Sequence, residues 1–470
     1  MPRTKIVATI GPASSKPEII SRMLDAGMTV ARINFSHGDH ESHTKTIQML
    51  RDVAASEGKI LAILGDLQGP KLRLGNVRAG GINLKLGDEI VLTPHRGQPA
   101  MIHFPHPDLI EAIQSGARLV IGDGEVEFTV AEKKQDTLRC VTTVAGLLES
   151  RKGVNAPGTN LPISSITEKD RVDLELVCKL ELDYVALSFV RTAADILELR
   201  ELISNHGANI PIIAKIEKKE AIDALEEIRE IADGMMVARG DLGIEVPPQE
   251  VPVLQKRIIR ECNKVGKPVI TATQMLQSMV EHPRPTRAEA SDVANAILDG
   301  TDAVMLSNET AMGGFPVDAV MMMASIGEII EKAFPYEEWR NRRREELSVS
   351  KSVSDAISAA SCDVAEHVQA RAIVCTTLSG YTARQIARHR PATPIMAVSP
   401  LAKTQRQLSL IWGVECKIVP DFKDTDDMLE QTAETMKPYG LEIGDKLVIT
   451  SGVPFGARGR TNLIQVHEIE

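Results

Sequence analysis

Residues 211–241 read PIIAKIEKKEAIDALEEIREIADGMMVARGD, and this stretch shows the repeating unit from which most of the 470-residue chain is built. It begins and ends with short apolar runs, at 211–215 and 234–238. Between the runs, apolar residues recur from Ile222 to Ile231 at the spacing of one helix face. A short apolar run followed by an amphipathic helix is typical of a buried parallel strand with its crossover helix.

The same unit recurs over the first 335 residues, where eight apolar runs are separated by helix-like segments. Eight strand–helix units in succession predict a (β/α)₈ TIM barrel. We assign residues 1–69 and 165–340 to this catalytic barrel. The runs lie at 5–10, 29–34, 60–65, 184–188, 211–215, 234–238, 268–272 and 302–306.

The connection between the third and fourth runs is far too long for one crossover helix. Its middle is rich in alternating β-type residues and Gly-Asp turns, at 82–93, 117–121, 125–131 and 137–144. We therefore predict an inserted β-barrel lid domain at 70–164, after strand 3. Loops that follow barrel strands open on the catalytic face, so an insertion there can act as a lid.

The chain changes character again after residue 334. A charged run at 337–346 is typical of a solvated helix or linker rather than a phosphate site. Five further strand-like runs then follow, at 371–376, 394–398, 415–419, 445–450 and 462–468. They predict a C-terminal α/β domain at 341–470, with a role in effector binding or oligomerisation.

The composition excludes several classes of protein. Hydrophobic residues make up 43% and charged residues 25%, which is ordinary for a soluble globular protein. No apolar run is long enough to cross a bilayer, and the net charge of −10 argues against nonspecific nucleic-acid binding. Six scattered cysteines imply neither a disulfide framework nor a zinc cluster. Without a signal-peptide pattern at the N-terminus, a cytoplasmic location is expected.

Polar residues stand at the ends of all eight apolar runs. Because the carboxyl ends of parallel strands meet at one rim of a barrel, their side chains should converge there. Ordinary strand-end polarity would give a random mixture, not one lysine, two arginines and four carboxylates. These residues are Thr9, Arg32, Asn34, Ser36, Asp66, Ser188, Lys215, Glu217, Arg239, Asp241, Thr273, Ser307 and Glu309.

Two of the carboxylates come from neighbouring strands five and six, namely Glu217 and Asp241. Two protein ligands leave room for water or substrate oxygens, which is how Mg²⁺ is held in phosphoryl-transfer sites. The alternative is that each carboxylate forms a structural salt bridge, with Lys215 or with Arg239. That alternative would place charges at a barrel mouth, where desolvation is costly.

Several longer motifs resemble those of the pyruvate kinase family, and the resemblance covers essentially the whole chain. The family's fold is the one predicted above, and its members transfer phosphate from phosphoenolpyruvate to ADP and protonate the enolate to pyruvate. The motifs are RINFSHG at 32–38, AKIE at 214–217, ARGDLG at 238–243, ITATQML at 270–276, PRPTRAEASDVAN at 283–295 and MLSNET at 305–310.

The resemblance implies a role for each rim residue that matches the family's motifs. Lys215 and Arg32 would hold the transferring phosphoryl group, and Glu217 and Asp241 would hold Mg²⁺ or Mn²⁺. The backbone of Gly240 and Asp241, with the Thr273 hydroxyl, would seat the substrate carboxylate. Ser307 and Glu309, behind Thr273, would belong to the proton-relay region.

The resemblance also implies a nucleotide site and a homotetramer. The ADP/ATP contacts would be Asn34, His37, Arg73 and the lid residue Lys152, and Asp123 would be the closing carboxylate of the lid. Three positions depart from the family's usual residues: Asn308 from Gly, and Met312 and Thr192 from Lys.

A further departure concerns the monovalent cation. In K⁺-dependent relatives, K⁺ is held by residues matching Asn34, Ser36, Asp66 and the backbone of Leu67. The usual motif Asp-Thr-Lys-Gly-Pro-Glu is here DLQGPK at 66–71, with Lys71 in place of Glu. A lysine ammonium supplies a positive charge at this point and repels a bound cation. We predict that K⁺ is not required.

The third domain contains a hydroxyl-rich turn that enters a predicted helix. Free backbone N–H groups, hydroxyls and the positive end of a helix suit a phosphate, although an ordinary helix cap has the same composition. We predict an effector site for a sugar phosphate or AMP, formed by Thr376, Thr377, Ser379, Gly380 and Thr382.

Two other readings of the residues stay open at this point. A barrel lyase or aldolase could handle an enolpyruvate on Mg²⁺ without a nucleotide. A sensor could keep the fold and respond through its third domain without catalysis. The pair Arg73 and Lys152 argues against the lyase, and the complete set of charged rim residues argues against the sensor.

Overall fold

The computed structural model describes residues 1–96, 101–122, 124–159, 163–347, 352–454 and 460–469. All eight predicted runs are strands, and they pair in parallel into a closed barrel. This confirms the predicted TIM barrel. The barrel strands are Lys5–Thr9, Val30–Asn34, Ala62–Asp66, Tyr184–Leu187, Ile212–Ile216, Gly234–Ala238, Val269–Ala272 and Ala303–Leu306.

Helices surround the barrel and bury their apolar faces against the strands. Their starts follow ordinary capping chemistry, since Thr167 and Thr286 accept backbone N–H groups of the helices that they precede. These helices are Pro12–Ser14 (3₁₀), Pro17–Asp25, His40–Ser56, Glu168–Lys179, Ala193–Asn205, Lys219–Asp223, Leu225–Ile231, Arg239–Glu245, Pro248–Glu250 (3₁₀), Val251–Val265, Gln277–Val280 (3₁₀), Arg287–Leu298, Asn308–Ala311 and Pro316–Lys332.

The barrel closes across the long insertion. The third and fourth strands are neighbours, with Leu64 paired to Tyr184 and Asp66 paired to Ala186. The inserted residues therefore leave the barrel at one rim and return to the same rim, where strands of this fold carry their functional groups.

The insertion is a β domain with a core of its own, which includes Phe104 and Phe128. Within the part that the structure describes, six strands form one sheet and two form a separate ladder. A short helix, Pro107–Ala112, accompanies them. The strands are Ile82–Leu84, Glu89–Thr93, Met101–His103, Arg118–Ile121, Val126–Lys134, Thr137–Val144, Gly146–Leu148 and Val154–Asn155.

The C-terminal α/β domain is also confirmed. Its five-stranded sheet is parallel except for the last strand, which pairs antiparallel with Lys446–Ser451. In spatial order the strands are Val414–Ile418, Ile395–Ser399, Ala372–Thr376, Lys446–Ser451 and Leu463–Glu468. The helices are Val353–His367, Tyr381–Ala387, Ala402–Leu408, Thr425–Met436 and Lys437–Tyr439 (3₁₀).

The charged run before this domain forms the helix Tyr336–Leu347. The interpretation of this run as solvated is wrong for one of its arginines, because the Arg343 side chain is only 2% exposed. It pairs with Glu346 at 2.5 Å, and Trp339 on the same helix is buried as well. The helix therefore packs between domains rather than spanning solvent.

The third domain contacts the barrel at the ends where the strands begin. Asp183, just before the fourth strand, pairs with Arg406 at 2.8 Å. Asp302, just before the eighth strand, pairs with Arg390 at 3.1 Å. This face is opposite the rim that carries the polar residues. Across the described residues, every helix falls short of the length and apolarity needed to span a bilayer.

Candidate active site

Asp66, at the end of the third barrel strand, is the centre of a buried charge network at the rim. Its carboxylate is 1% exposed and accepts from Arg32 Nε at 2.7 Å and Nη2 at 2.6 Å. Lys215 Nζ lies 3.3 Å from the other carboxylate oxygen. The ends of strands two, three and five are thus joined by one carboxylate, as convergence at the rim requires.

Lys215 is held by two further acceptors. Its ammonium lies 2.9 Å from Glu217 Oε1 and donates to Ser188 Oγ at 2.7 Å. The second oxygen of Glu217 accepts the backbone N–H of Phe189 at 2.8 Å. The lysine is therefore fixed before any substrate binds, which is the preorganisation that electrostatic catalysis uses.

Burial and charge act in opposite directions on this network. Burial alone would lower the pKa of Lys215, but the carboxylates of Asp66 and Glu217 raise it above its ordinary value. Burial likewise opposes ionisation of Asp66, but Lys215 and Arg32 lower its pKa. For Glu217 burial prevails over Lys215 and raises the pKa, and Asp241 adds to the rise. Lys215 therefore stays a cation at neutral pH.

Asp241 lies in the first turn of the helix Arg239–Glu245 and is exposed. No described residue forms a hydrogen bond or ion pair with its carboxylate. Arg239, two residues away, pairs with Asp292 at 2.7 Å instead. The salt-bridge alternative raised from the sequence is therefore observed for Glu217 with Lys215, and not for Asp241 with Arg239.

Thr273 follows the seventh strand and contacts the start of the same helix. Its hydroxyl accepts the Gly240 N–H at 2.8 Å and donates to the Ala272 carbonyl at 2.6 Å. Its φ is +69°, and that of Gln274 is +55°. Two consecutive non-glycine residues in the left-handed region, one of them β-branched, mark a strained segment.

Glu309 is fully buried and ties two rim loops together. Its carboxylate accepts the N–H of Ser307 at 2.7 Å and the N–H of Leu276 at 3.0 Å. The structure thus brings Ser307 and Glu309 close to the segment that carries Thr273, while the two hydrogen bonds of the Thr273 hydroxyl go to other residues.

A cleft between the inserted domain and the barrel opens at this rim, and among the predicted rim residues Asp241 lines it. It is lined from the insertion by Arg73, Gly122 and Asn155, and from the barrel by Phe189 and Asp241. A cleft beside the carboxyl ends of barrel strands, lined by an unpaired carboxylate and close to a buried lysine of the same rim, fits a phosphoryl-transfer enzyme.

Comparison with known proteins identifies the family. The family model described as the barrel domain of pyruvate kinase matches residues 1–320, and the one described as the alpha/beta domain matches residues 355–467. The chain belongs to the pyruvate kinase family. It is accordingly a phosphotransferase enzyme, which confirms the resemblance stated from the motifs.

Relatives named pyruvate kinase are similar along nearly the full chain. The protein from Geobacillus stearothermophilus is 46% identical over 99% of this chain and 80% of its own length. That from Staphylococcus aureus strain MRSA252 is 45% identical over the same shares. A crystal structure of a pyruvate kinase from Cryptosporidium parvum has a TM-score of 0.94 at 36% identity, covering 100% of this chain and 96% of that chain.

Of the residues predicted to contact the nucleotide, Arg73 lines the cleft. Arg73 donates to the Arg151 carbonyl at 2.9 Å, and Lys152 pairs with Glu125 at 2.8 Å. Burial lowers the pKa of His37, and the cations of Lys71 and Arg73 lower it further, so these three side chains form one basic group. The predicted lid carboxylate Asp123 lies outside the described residues.

Asn34 and Ser36, which are predicted to contact the nucleotide or a monovalent cation, lie at the end of the second strand and in the loop after it. The Asn34 side-chain oxygen accepts the Ser36 N–H at 3.1 Å. Of the positions that depart from the pyruvate kinase family's usual residues, Thr192 caps the helix Ala193–Asn205, and Met312 is 64% exposed. Asn308 begins the short helix Asn308–Ala311.

Lys71 lines the cleft, and part of its side chain is open to solvent. Partial burial lowers its pKa, the cations of Arg73 and Lys215 lower it further, and the carboxylates of Asp241 and Asp66 oppose them. Leu67 is buried, and its carbonyl accepts the Ser188 hydroxyl at 2.7 Å. Lys71 thus lies among the charges of Arg73, Lys215, Asp66 and Asp241.

Two of the hydroxyl groups of the predicted effector turn form hydrogen bonds with other residues of the same domain. Thr376 Oγ1 donates to Ser451 Oγ at 2.5 Å, and the Thr382 hydroxyl bonds to that of Thr461 at 3.0 Å. Both residues are buried. Gly380, with φ +74°, precedes the helix Tyr381–Ala387, and Thr377 and Ser379 are half-buried.

Sequence reasoning underrated two contributors to this site. Ser188 is among the polar strand ends, yet its link from Lys215 to Leu67 depends on the fourth strand lying beside the third. Phe189, whose N–H donates to Glu217, has a φ of +56°. No local sequence pattern predicts this conformation. The polar strand end at Ser188 was the one signal available for this pair.

Proposed function

We propose that the chain transfers the phosphoryl group of phosphoenolpyruvate to ADP, giving pyruvate and ATP, through Lys215, Arg32 and Thr273. The observation that carries these roles is the Lys215 ammonium, fixed by Asp66, Glu217 and Ser188 at the rim of the barrel. A fixed cation stabilises the charge that spreads over the phosphoryl oxygens in the transition state.

Arg32 is the second phosphoryl ligand in this proposal. Two of its nitrogens bond to Asp66, and Nη1 donates to Thr9 Oγ1 at 2.9 Å. These contacts use three of the five N–H groups of a guanidinium, so N–H groups of Nη1 and Nη2 are left for phosphoryl oxygens. Because Asp66 holds the guanidinium plane, bidentate recognition costs little further ordering.

Glu217 and Asp241 fit a divalent cation of the Mg²⁺ or Mn²⁺ type. They lie close enough for the Asp241 charge to raise the pKa of Glu217, and Asp241 has no competing partner among the described residues. Two carboxylate ligands would leave the other coordination positions of the ion to water and substrate oxygens. When bound, the ion would add positive charge beside the phosphoryl and enolate oxygens.

The start of the helix Arg239–Glu245 is our proposed seat for the substrate carboxylate. The Asp241 N–H lies at a positive helix end. The Gly240 N–H beside it donates to the Thr273 hydroxyl in this structure and would turn to the carboxylate when substrate binds. From this position Thr273 can pass a proton to the enolate carbon. Ser307 and Glu309 hold the neighbouring loop.

An assay that omits one component at a time tests the overall proposal. Pyruvate should form only with phosphoenolpyruvate, ADP and a divalent cation together. Pyruvate formation without ADP would favour the lyase alternative. Binding of phosphoenolpyruvate with no turnover under any condition would favour the sensor.

We further infer independence from K⁺, because Lys71 supplies the charge, and activation by a phosphorylated effector at Thr376, Thr377, Ser379, Gly380 and Thr382. The nucleotide would contact Asn34, His37, Arg73 and Lys152. Family membership supports a homotetramer, and the net charge of −10 fits a cytoplasmic enzyme that binds neither nucleic acid nor membrane.

A further inference from the structure

Arg239 is the rim cation that the proposed function leaves without a task. Its side chain is only 11% exposed and points away from Asp241, toward the loop after the seventh strand. It donates from Nη2 to the Thr273 carbonyl at 2.8 Å and from Nε to the Ala272 carbonyl at 3.3 Å. One guanidinium thus binds two consecutive carbonyls of this loop.

The other side of the guanidinium is anchored to the helical layer. Nη1 lies 2.7 Å from Asp292, on the helix Arg287–Leu298, and 3.4 Å from Gln255 Oε1, on the helix Val251–Val265. Arg239 therefore connects two rigid helices to the strained loop. A lysine could not do the same, because it has no planar fork that donates in two directions.

The loop that Arg239 binds has a strained backbone. Thr273 and Gln274 are both left-handed, with φ of +69° and +55°, a conformation that non-glycine residues keep only when their surroundings enforce it. The Thr273 hydroxyl reaches the Gly240 N–H at 2.8 Å in this conformation. Release of the loop would move the hydroxyl away from the proposed carboxylate seat.

We propose that Arg239 is a positioning residue: it holds Thr273 and Gln274 in the left-handed conformation and thereby aims the Thr273 hydroxyl at the substrate. This inference rests on the role proposed for Thr273. It assigns Arg239 no contact with the phosphoryl group, although its charge and its place on the rim resemble those of Arg32.

The test uses a glycine, which takes positive φ without strain. Arg239→Lys should lower kcat about 100-fold, as small misplacements of reacting groups do. Gln274→Gly alone should change kcat by less than about twofold. Added to Arg239→Lys, it should restore kcat at least about tenfold, because one of the two left-handed residues then adopts its conformation without strain. Asp292→Asn should give a smaller loss with the same rescue.

Exchange of the pyruvate methyl protons with D₂O, in the presence of ATP and Mg²⁺, gives a second readout. Arg239→Lys should slow this exchange, and Gln274→Gly should restore it, whereas a structural defect alone would not respond to the glycine. Arg229→Lys is the matched control, since Arg229 forms a comparable partly buried pair with Glu261 at 2.5 Å away from the loop. It should leave kcat and exchange unchanged.

Three outcomes would overturn the positioning role: full activity of Arg239→Lys, absence of rescue by Gln274→Gly, or rescue of phosphoryl transfer without rescue of exchange. Failure to rescue would indicate that Arg239 contacts the substrate directly. Thr273→Ala separates this proposal from the one on which it rests. If that variant kept full activity, the role of Thr273 itself would be wrong, whatever Arg239 does.

Discussion

At the scale of single residues, the active site depends on where each cation is held. Lys215 has three acceptors within 3.3 Å, from strands three, four and five. Arg32 shares one of them, Asp66, from the second strand. Because these acceptors fix both cations before substrate arrives, little reorganisation is left for the chemical step.

We expect Lys215→Ala to lower kcat by about 10²–10³-fold, since it removes a preorganised charge from the transition state. Binding of phosphoenolpyruvate should stay measurable by isothermal calorimetry. Lys219→Ala is the control, because Lys219 is an exposed lysine of the same loop region that pairs with Asp223. A fall of less than about tenfold, or 1.4 kcal/mol, would show that Lys215 does not carry the reaction.

Lys71 gives the second prediction at this scale. If the Lys71 ammonium takes the place of the ion, as we propose, activity in tetramethylammonium buffer should equal that in K⁺ buffer at the same ionic strength. Lys71→Glu should create a requirement for K⁺, and Lys85→Glu, the same charge reversal at an exposed position of the inserted domain, should not. A large rise in wild-type activity on adding K⁺ would refute the substitution.

At the scale of elements, packing around the turn that begins at Thr376 reduces the number of hydroxyl groups that a ligand could contact. The hydroxyls of Thr376 and Thr382 form hydrogen bonds with those of Ser451 and Thr461, which lie more than 70 residues later in the sequence. Thr377 and Ser379 are left as the hydroxyls nearest the surface. A phosphate at this turn would therefore meet these two side chains and the backbone at Gly380.

Replacement of Thr377 and Ser379 by Ala should remove activation by a phosphorylated effector and leave the basal rate unchanged. The measurement is kcat/KM for phosphoenolpyruvate, with and without AMP or a sugar phosphate. Thr435→Ala is a suitable control, because its hydroxyl bonds within one helix of the same domain. Activation that survives the double variant would place the effector elsewhere.

At the scale of the whole molecule, the third domain is joined to the barrel by ion pairs whose carboxylates are buried. Arg390 pairs with Asp302 and also donates to the Gly300 carbonyl at 2.8 Å. Arg406 pairs with Asp183, whose other oxygen accepts the Ile63 N–H at the start of the strand that ends at Asp66. The contact face and the active rim are thus the two ends of the same strands.

His389 is buried and precedes Arg390, which pairs with Asp302 in this contact. Burial lowers the pKa of His389 well below its ordinary value, and the cations of Arg388 and Arg343 add to the effect. The folded state keeps the imidazole neutral, so its contribution to stability is present above the unfolded pKa of about 6.5 and is lost as the pH falls below it. The loss approaches about 1.4 kcal/mol per pH unit.

The thermal midpoint of the wild type should therefore fall more between pH 7.5 and about pH 5.5 than that of His389→Gln, which has no imidazole to protonate. Differential scanning calorimetry at both pH values measures the difference. His206→Gln, at an exposed position, should behave like the wild type. Equal falls for the wild type and His389→Gln would mean that burial of His389 does not control stability in this range.

The sequence by itself determined the order of strands and helices, the place of the insertion and the identity of the rim residues. Each of these properties is local: apolar runs mark buried strands, and the residue that ends a parallel strand of a barrel lies at the rim. The long motifs that include Lys215, Asp241 and Thr273 identified the family for the same reason, since each motif is one strand end with its loop.

Only the tertiary structure decided which partner each charge has. Arg239 pairs with Asp292, 53 residues along the chain, and not with Asp241 two residues away. Arg343 is buried although its neighbours in sequence are charged, and Thr273 is left-handed although Thr disfavours it. These partners, burials and conformations depend on how elements distant in sequence pack. A buried polar group forms its hydrogen bonds with the groups that this packing places nearby.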